Sequence, residues 1–259
     1  MQKTILAIIV VLAVLIIGWA LWPSGEAPQP EPEPVTAPPT PDLTRPEPVD
    51  TAPIEAPGPA QPVEPEVVLP PLPDSDVFVR ERIEPMNLPP AWVDQGDYVR
   101  RLAVLAENAS RGTLPRRQLA FLAPSGPFKV VERGDEVFID PVSYDRYDRY
   151  VAQLDSVEPA RLAGLLETIN PLMESALAEI GVEAPPGQVF AAAVREVLSV
   201  PVLDGQIELI QPNVMYQYAD PELEALSPLK KQVLRMGPDN VRKLQAYLRR
   251  LAAEMKLEV

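Results

Sequence analysis

The 259-residue chain contains neither cysteine nor histidine. Without cysteine there are no disulfides, no thiol nucleophile, no Cys-ligated zinc and no iron–sulfur cluster. Without histidine there is no Ser-His or Cys-His triad, no HExxH metalloprotease and no imidazole general base. Glycine is scarce, at 12 residues. No P-loop and no GxGxxG phosphate-binding turn occurs, so no nucleotide cofactor is expected. No catalytic and no metal-ligating residue is assigned. The chain is acidic, with net charge −14, and holds 34 prolines. That proline share is well above the average of about 5%, so part of the chain lies outside any ordinary packed domain.

Residues 1–3 are followed by a run from Thr4 to Trp22 that carries no charge. Nineteen helical residues at about 1.5 Å each span about 28 Å, close to the thickness of a bilayer's hydrocarbon core. A buried helix of that length would show a polar face, and this one has none. Trp19 and Trp22 suit the aromatic belt at a membrane interface. The rival reading is a cleaved secretory signal, whose apolar core is usually about 7–15 residues and ends at small residues. Lys3 precedes the run, and no Lys or Arg follows it until Arg45. The positive-inside rule then places the tip 1–3 in the cytoplasm and everything after residue 22 outside. The expected partner of residues 4–22 is therefore a membrane, crossed once.

Residues 23–73 hold 18 prolines and nine acids against one cation, Arg45. Proline removes amide donors and fixes φ, which stops helix and sheet from propagating. Few large apolar side chains are present to offset the entropy of ordering. The stretch reads as a disordered Pro/Glu-rich linker. Spacings such as Pro38 to Pro41 fit proline-binding modules but are unavoidable at this density.

Residues 74–259 are long enough for a single domain, and helix signals dominate. Asp74 is placed to cap a short helix through Val77, Phe78 and Ile83, ended by Pro85. Tyr98, Leu102, Leu105, Ala106 and Ala109 follow helical period up to Gly112. From Leu162 to Ile180 the same period predicts five turns kinked at Pro171. Val189, Phe190, Ala193, Val194, Val197 and Leu198 predict the next helix. Ser227-Pro228 and Gly237-Pro238 punctuate the last two, and Val241, Leu244, Leu248, Leu251 and Met255 form the final apolar stripe. Two hairpins are expected, 128–131 with 136–139 and 200–203 with 206–210, the Asp-Gly pairing suggesting type I′ turns. The fold class is mainly α: a single bundle-like helical domain with one or two small β hairpins, behind a transmembrane helix and the linker.

Three features could carry chemistry. Ser227-Pro-Leu-Lys230 matches the S-x-x-K of penicillin-binding enzymes but lacks their S-D-N and K-T-G companions, and Pro228 makes Ser227 an ordinary helix cap. In the run Asp140–Tyr150, Asp145 and Asp148 stand one turn apart, with an expected Asp145–Arg149 pair. Tyr144, Arg146, Tyr147, Arg149 and Tyr150 could form a sugar or peptide site, or a core helix with a charged outer side. Finally, Lys230, Lys231, Arg235, Arg242, Lys243, Arg249, Arg250 and Lys256 face only Asp239 and Glu254 between residues 228 and 256. A second group is Arg100, Arg101, Arg111, Arg116 and Arg117. Lys230, Lys231, Arg235, Arg242, Lys243, Arg249 and Arg250 are the candidate surface for an anionic envelope partner, or else a solvated helix face. No nucleic-acid partner is expected outside the cytoplasm.

The stretches Leu69–Asp76, Phe138–Tyr147 and Glu208–Ser227, the last running on through Leu234-Arg-Met-Gly-Pro-Asp239, resemble domain of unknown function 3014 over roughly residues 69–256. That resemblance implies an uncharacterised family of Gram-negative inner-membrane-anchored proteins with one periplasmic domain, and it implies no site residues. The expected function is a membrane-tethered periplasmic interaction or scaffold module of the cell envelope, not an enzyme. The alternative is a carboxylate-dependent cell-wall glycan enzyme or glycan-binding domain.

Overall fold

The computed structural model describes residues 67–86, 96–115, 119 and 123–259. The expected cytoplasmic tip 1–3, the transmembrane run 4–22, most of the linker, and Arg116 and Arg117 lie outside the described residues. Among the described residues no helix is long and apolar enough to cross a membrane. Residues from Leu69 to Val259 fall in one unit. Leu69 and Leu72, assigned to the linker above, pack against its core.

Nine helices and a small sheet make up the described residues: α1 Ser75–Ile83, α2 Tyr98–Ser110, β1 Val130–Arg133, β2 Glu136–Ile139, α3 Asp148–Asp155, α4 Pro159–Thr168, α5 Asn170–Glu179, α6 Pro186–Leu198, β3 Glu208–Ile210, β4 Gln217–Tyr218, α7 Pro221–Glu224, α8 Pro228–Leu234 and α9 Pro238–Glu254. The mainly helical class is as expected. α2 packs on α5 and α6, and α9 packs on α3, α4 and α6. The buried stripes are those the periodicity selects. Leu102, Leu105, Ala106 and Ala109 of α2 and Val241, Leu244, Leu248 and Leu251 of α9 are all at most 3% exposed.

Local chemistry departs from the expectations at several places. The single helix expected from Leu162 to Ile180 is two helices, broken at Ile169 (φ −89°, ψ 6°). Pro171 has no N–H to continue the preceding helix but is tolerated in a first turn, so it stands at the start of α5 instead of kinking a continuous helix. Ile180, beyond the end of α5, is 44% exposed. Val77 is likewise 65% exposed, because α1 turns Val79 and Ile83 inward.

The sheet is antiparallel in the order β1-β2-β3-β4. The first hairpin forms, with Val131 opposite Phe138 and Arg133 opposite Glu136. Its turn has glycine first, with φ +64° at Gly134 and no positive φ at Asp135, which is the II′ pattern rather than I′. The second hairpin does not form. Residues 200–203 are not a strand, Pro201 offers no ladder donor, and Gly205 has no positive φ. β3 pairs instead with β2, Val137 opposite Leu209, and with β4, Leu209 opposite Tyr218.

Side chains from distant segments serve two helix ends. Asp74 makes no side-chain bond at the start of α1. The Asp76 carboxylate accepts from the N–H groups of Asp97 (2.7 Å) and Tyr98 (3.1 Å), so one helix caps the next across 21 residues. Asp97, at φ 52°, leaves the cap position to Asp76. Asp76→Ala is expected to lower the unfolding free energy by about 1–2 kcal/mol, and Asp76→Asn by less. Denaturant unfolding checks this, and an Ala variant as stable as the parent would refute the cap.

Gln245 acts at the other end of a helix. Its Nε2 donates toward the carbonyls of Val197 (3.2 Å), Leu198 (3.4 Å) and Val200 (2.9 Å). Val197 and Leu198 belong to the last turn of α6, whose carbonyls lack intrahelical partners, and Val200 lies just beyond it. The Tyr247 hydroxyl, also buried, has no hydrogen-bond partner among the described residues, and burial pushes its pKa up.

Candidate functional site

The chain places Ser227 as a cap. Its hydroxyl accepts from the Lys230 N–H at 3.3 Å and donates to Glu196 Oε1 at 2.6 Å. Lys230 Nζ lies 3.2 Å from Glu196 Oε2. The lysine therefore pairs with the carboxylate and not with the serine oxygen, so the S-x-x-K spacing builds a junction between α6 and α8.

The tyrosine and arginine run splits between core and surface. Asp140 caps the following turn through Val142 N at 3.0 Å, and Tyr147, Val151 and Leu154 are buried. The Tyr147 hydroxyl accepts from Gln232 Nε2 at 3.2 Å, and burial pushes its pKa up. Tyr150 is buried and donates to the Ala123 carbonyl at 3.2 Å. Arg149 bonds to the Tyr150 hydroxyl and stacks on its ring, with 4.5 Å to the centroid. The expected Asp145–Arg149 pair is absent among the described residues. Arg146 donates to the Ser143 carbonyl at 2.9 Å and lies over Phe128. Of the five candidates, Tyr144 lines the cleft formed at the start of α9.

The basic candidates are mostly engaged within the domain. Lys230 meets Glu196, Lys231 meets Glu224 at 2.8 Å, and Arg250 meets Asp155 at 2.6 Å. Arg242 bridges Asp204 and Asp239, the latter at 3.0 Å, and those bonds strengthen its hold on its proton. Arg235 lies over the Tyr218 ring, 5.6 Å from the centroid, and burial pushes the Tyr218 phenol up to about 12. Acids from α3, α6, α7 and the loop after α6 thus offset the positive charge counted along residues 228–256. Lys243 and Arg249 have no acidic partner among the described residues. Elsewhere Arg100 pairs with Glu179 at 2.5 Å and Arg111 with Glu107 at 2.5 Å.

A cleft of about 400 Å³ opens where the turn into α9 meets the segment from Ile139 to Asp148 and the loop around Gly205. That size suits a small ligand. Gly237 shapes it: at φ +81° a Cβ there would lie 2.6 Å from Tyr144 Cδ2, so only glycine lets the α8–α9 turn lie against the tyrosine ring. Burial pushes the pKa of the Tyr144 phenol up. Asp145, Asp148, Asp204 and Asp239 line the cleft, with Lys243 the one cation among its described lining residues. Asn240 lines it too, is 3% exposed, and donates through Nδ2 to Asp148 Oδ1 at 2.8 Å. Among the described residues no cluster of three or more acidic side chains is placed to hold a metal ion.

Asp145, Asp148 and Tyr144 were singled out from the sequence. Asp204, read as a turn residue, Asp239, read as a counter-charge, and Asn240 were not. A readable signal existed for Asn240, which sits four residues before Leu244 on the apolar stripe of α9. None existed for Asp204, because only the fold carries the loop after α6 to the start of α9.

No curated protein and no solved structure matches the chain. The model of a family described as protein of unknown function (DUF3014) matches residues 98–252. The stretch Leu69–Asp76 falls outside that match. The match covers more than half of the 259 residues, and the chain belongs to this family.

Proposed function

We propose that the chain is a single-pass protein of the bacterial inner membrane, with its N-terminus cytoplasmic and its folded domain in the periplasm. There the domain acts as an interaction module that binds a protein or another envelope component, without turnover. The observation that carries this reading is the order of parts: a 19-residue uncharged run, a proline-rich acidic stretch and then one folded unit. At about 3.1 Å per residue, an extended linker of that length reaches about 160 Å, enough to present the domain far from the bilayer. The cleft supports binding, because two of its carboxylates hold Arg242 and a third accepts from Asn240. Those groups are already positioned by one another.

Crosslinking of the full chain in its native envelope, followed by mass spectrometry, tests the reading. An envelope component linked reproducibly to the folded domain is the expected result. A C-terminal alkaline phosphatase fusion is expected to be active. An inactive fusion, or crosslinks only within the chain, would overturn the proposal. A carboxylate-dependent glycan enzyme or glycan-binding domain is the second reading, favoured by Asp145 and Asp148 lining one cleft. Release of soluble fragments from peptidoglycan by the purified protein would decide for the enzyme.

A further inference from the structure

We propose that two copies of the chain associate antiparallel through the free edge of β1, joining their four-stranded sheets into one. In an antiparallel ladder, successive residues alternate between bonding the neighbouring strand and facing away from it. The Asp140 N–H donates to the Lys129 carbonyl at 3.1 Å, and the Ile139 N–H turns the other way, to the Ile207 carbonyl at 3.0 Å. With Val131 opposite Phe138 and Arg133 opposite Glu136, that phase sends the N–H and C=O groups of Val130 and Glu132 away from β2. Among the described residues nothing bonds them. The opposite edge is treated differently: the outward N–H of Tyr218 on β4 is taken by Glu224 Oε2 at 3.0 Å. Just before β1, the Lys129 N–H is likewise taken, by Ser143 Oγ at 2.8 Å. Edge strands are commonly guarded by a bulge or a proline. β1 has no proline, and its register with β2 is unbroken from Val130 to Arg133.

The charges along this edge name a second copy as its occupant. The start of the edge is cationic. Among the described residues Lys129 has no acidic partner, and neither does Arg146, which lies 5.6 Å from the Phe128 ring centroid and donates to the Gly126 carbonyl at 3.4 Å. The far end is acidic: Glu132, Asp135 and Glu136 have no cationic partner among the described residues. The one cation within residues 132–136, Arg133, lies over the Phe138 ring and donates to Gln206 Oε1 at 2.8 Å, which draws it off the edge. A two-fold axis near Val130 and Val131 runs the two strands in opposite directions and sets each acidic end against a cationic start. A parallel pair would set like charges together, which is unfavourable. A foreign strand would have to carry both signs in this order, whereas a second copy already does. Pairing of this two-fold kind needs only such a self-complementary surface.

The chain has no cysteine, so single introduced cysteines report proximity without background. Val130→Cys, Val131→Cys and Asp135→Cys are made in the full chain, held in neutral detergent and exposed to a mild oxidant, and disulfide-linked dimers are read on non-reducing gels. The expected result is a dimer from Val130→Cys or Val131→Cys, because Cα atoms facing each other at the axis fall within the about 4.4–6.8 Å that a disulfide spans. Asp135→Cys is expected to give none, since antiparallel pairing holds the two turns about 30 Å apart. Association through the apolar run 4–22 alone would not favour one position of the hairpin over another. In the cysteine variant that crosslinks better, two further changes are read. Val130→Pro, or Glu132→Pro where residue 130 carries the cysteine, removes an N–H that points away from β2 and is expected to weaken dimer formation about tenfold. Glu132→Lys, on an exposed side chain without a partner, is expected to weaken it too, by setting a cation against Lys129 and Arg146 of the second copy. No disulfide at 130 or 131, an equal yield at 135, or indifference to the proline or to Glu132→Lys would overturn the inference. Each of these results stands whatever the envelope crosslinking captures.

Discussion

Gln245→Glu is expected to make the folded domain about 2–4 kcal/mol less stable near neutral pH, and much less so in acid. The wild-type amide donates toward three carbonyls at the end of α6. A carboxylate there would point oxygen at oxygen, on a side chain only 5% exposed in the parent. Burial and the carbonyl dipoles favour its protonated form, so its folded pKa lies above the unfolded value of about 4.3. Below that unfolded value both states are protonated, and the acid can still donate one bond. As pH rises past it, the unfolded chain ionises while the folded one stays protonated. The unfolded state then binds fewer protons, and stability falls by about 1.4 kcal/mol per pH unit until the folded-state pKa is reached. Gln245→Leu serves as the control, since it loses the same donor with no titration. Denaturant midpoints of both variants and the parent, taken at several pH values, check the sign. A Glu variant whose deficit does not grow with pH would place the side chain elsewhere.

Gly112→Ala is expected to cost about 3 kcal/mol, more than Ser227→Ala. Gly112 has φ +68°, and a Cβ there would lie 2.5 Å from Glu196 Oε1 and 2.8 Å from Ser227 Cβ and Oγ. The strained backbone accounts for about 1–2 kcal/mol. The rest comes from displacing the junction at which three helices meet. Ser227 caps α8, its hydroxyl bonds Glu196 of α6, Lys230 closes on the same carboxylate, and the Leu229 N–H donates to the Gly112 carbonyl at 3.0 Å. Ser227→Ala removes the cap and one bond, worth about 1 kcal/mol, but leaves Glu196 with Lys230. Thermal unfolding of the two variants ranks them. If Ser227→Ala proved the more damaging, the close approach at Gly112 would not be what holds the junction.

The two variants also separate what could be read early from what could not. Helix existence was legible wherever apolar residues recur at 3.6-residue spacing, as along α2 and α9, because one face must be buried whatever lies across from it. The caps at Asp140 and Ser227 were legible for the same local reason: a short acceptor side chain sits beside the first free N–H groups. Breaks were harder. Pro171 lies within an unbroken apolar period, and whether the chain kinks or starts a new helix depends on what Ile169 packs against. The second hairpin failed because strand pairing is settled by the neighbour available. β2 offered a better ladder to β3 than the proline-bearing segment 200–203 did.

Among candidate site residues the limit is physical in the same way. Counting charge along residues 228–256 yields a basic face, yet Glu196, Glu224, Asp204 and Asp155 arrive from other segments and pair with it. Asn240 and Gln245 stand out from sequence only as polar residues on an apolar stripe. Their partners, the carbonyls of residues 144 and 197–200, lie 45 or more positions away. Sequence alone therefore determined the order of parts, the helical class and the faces to be buried, since composition and period act locally. The tertiary structure alone decided which charges cancel, which buried amides find partners, and that four aspartates from three segments line one cleft. Those outcomes depend on distances between residues that the chain order keeps far apart.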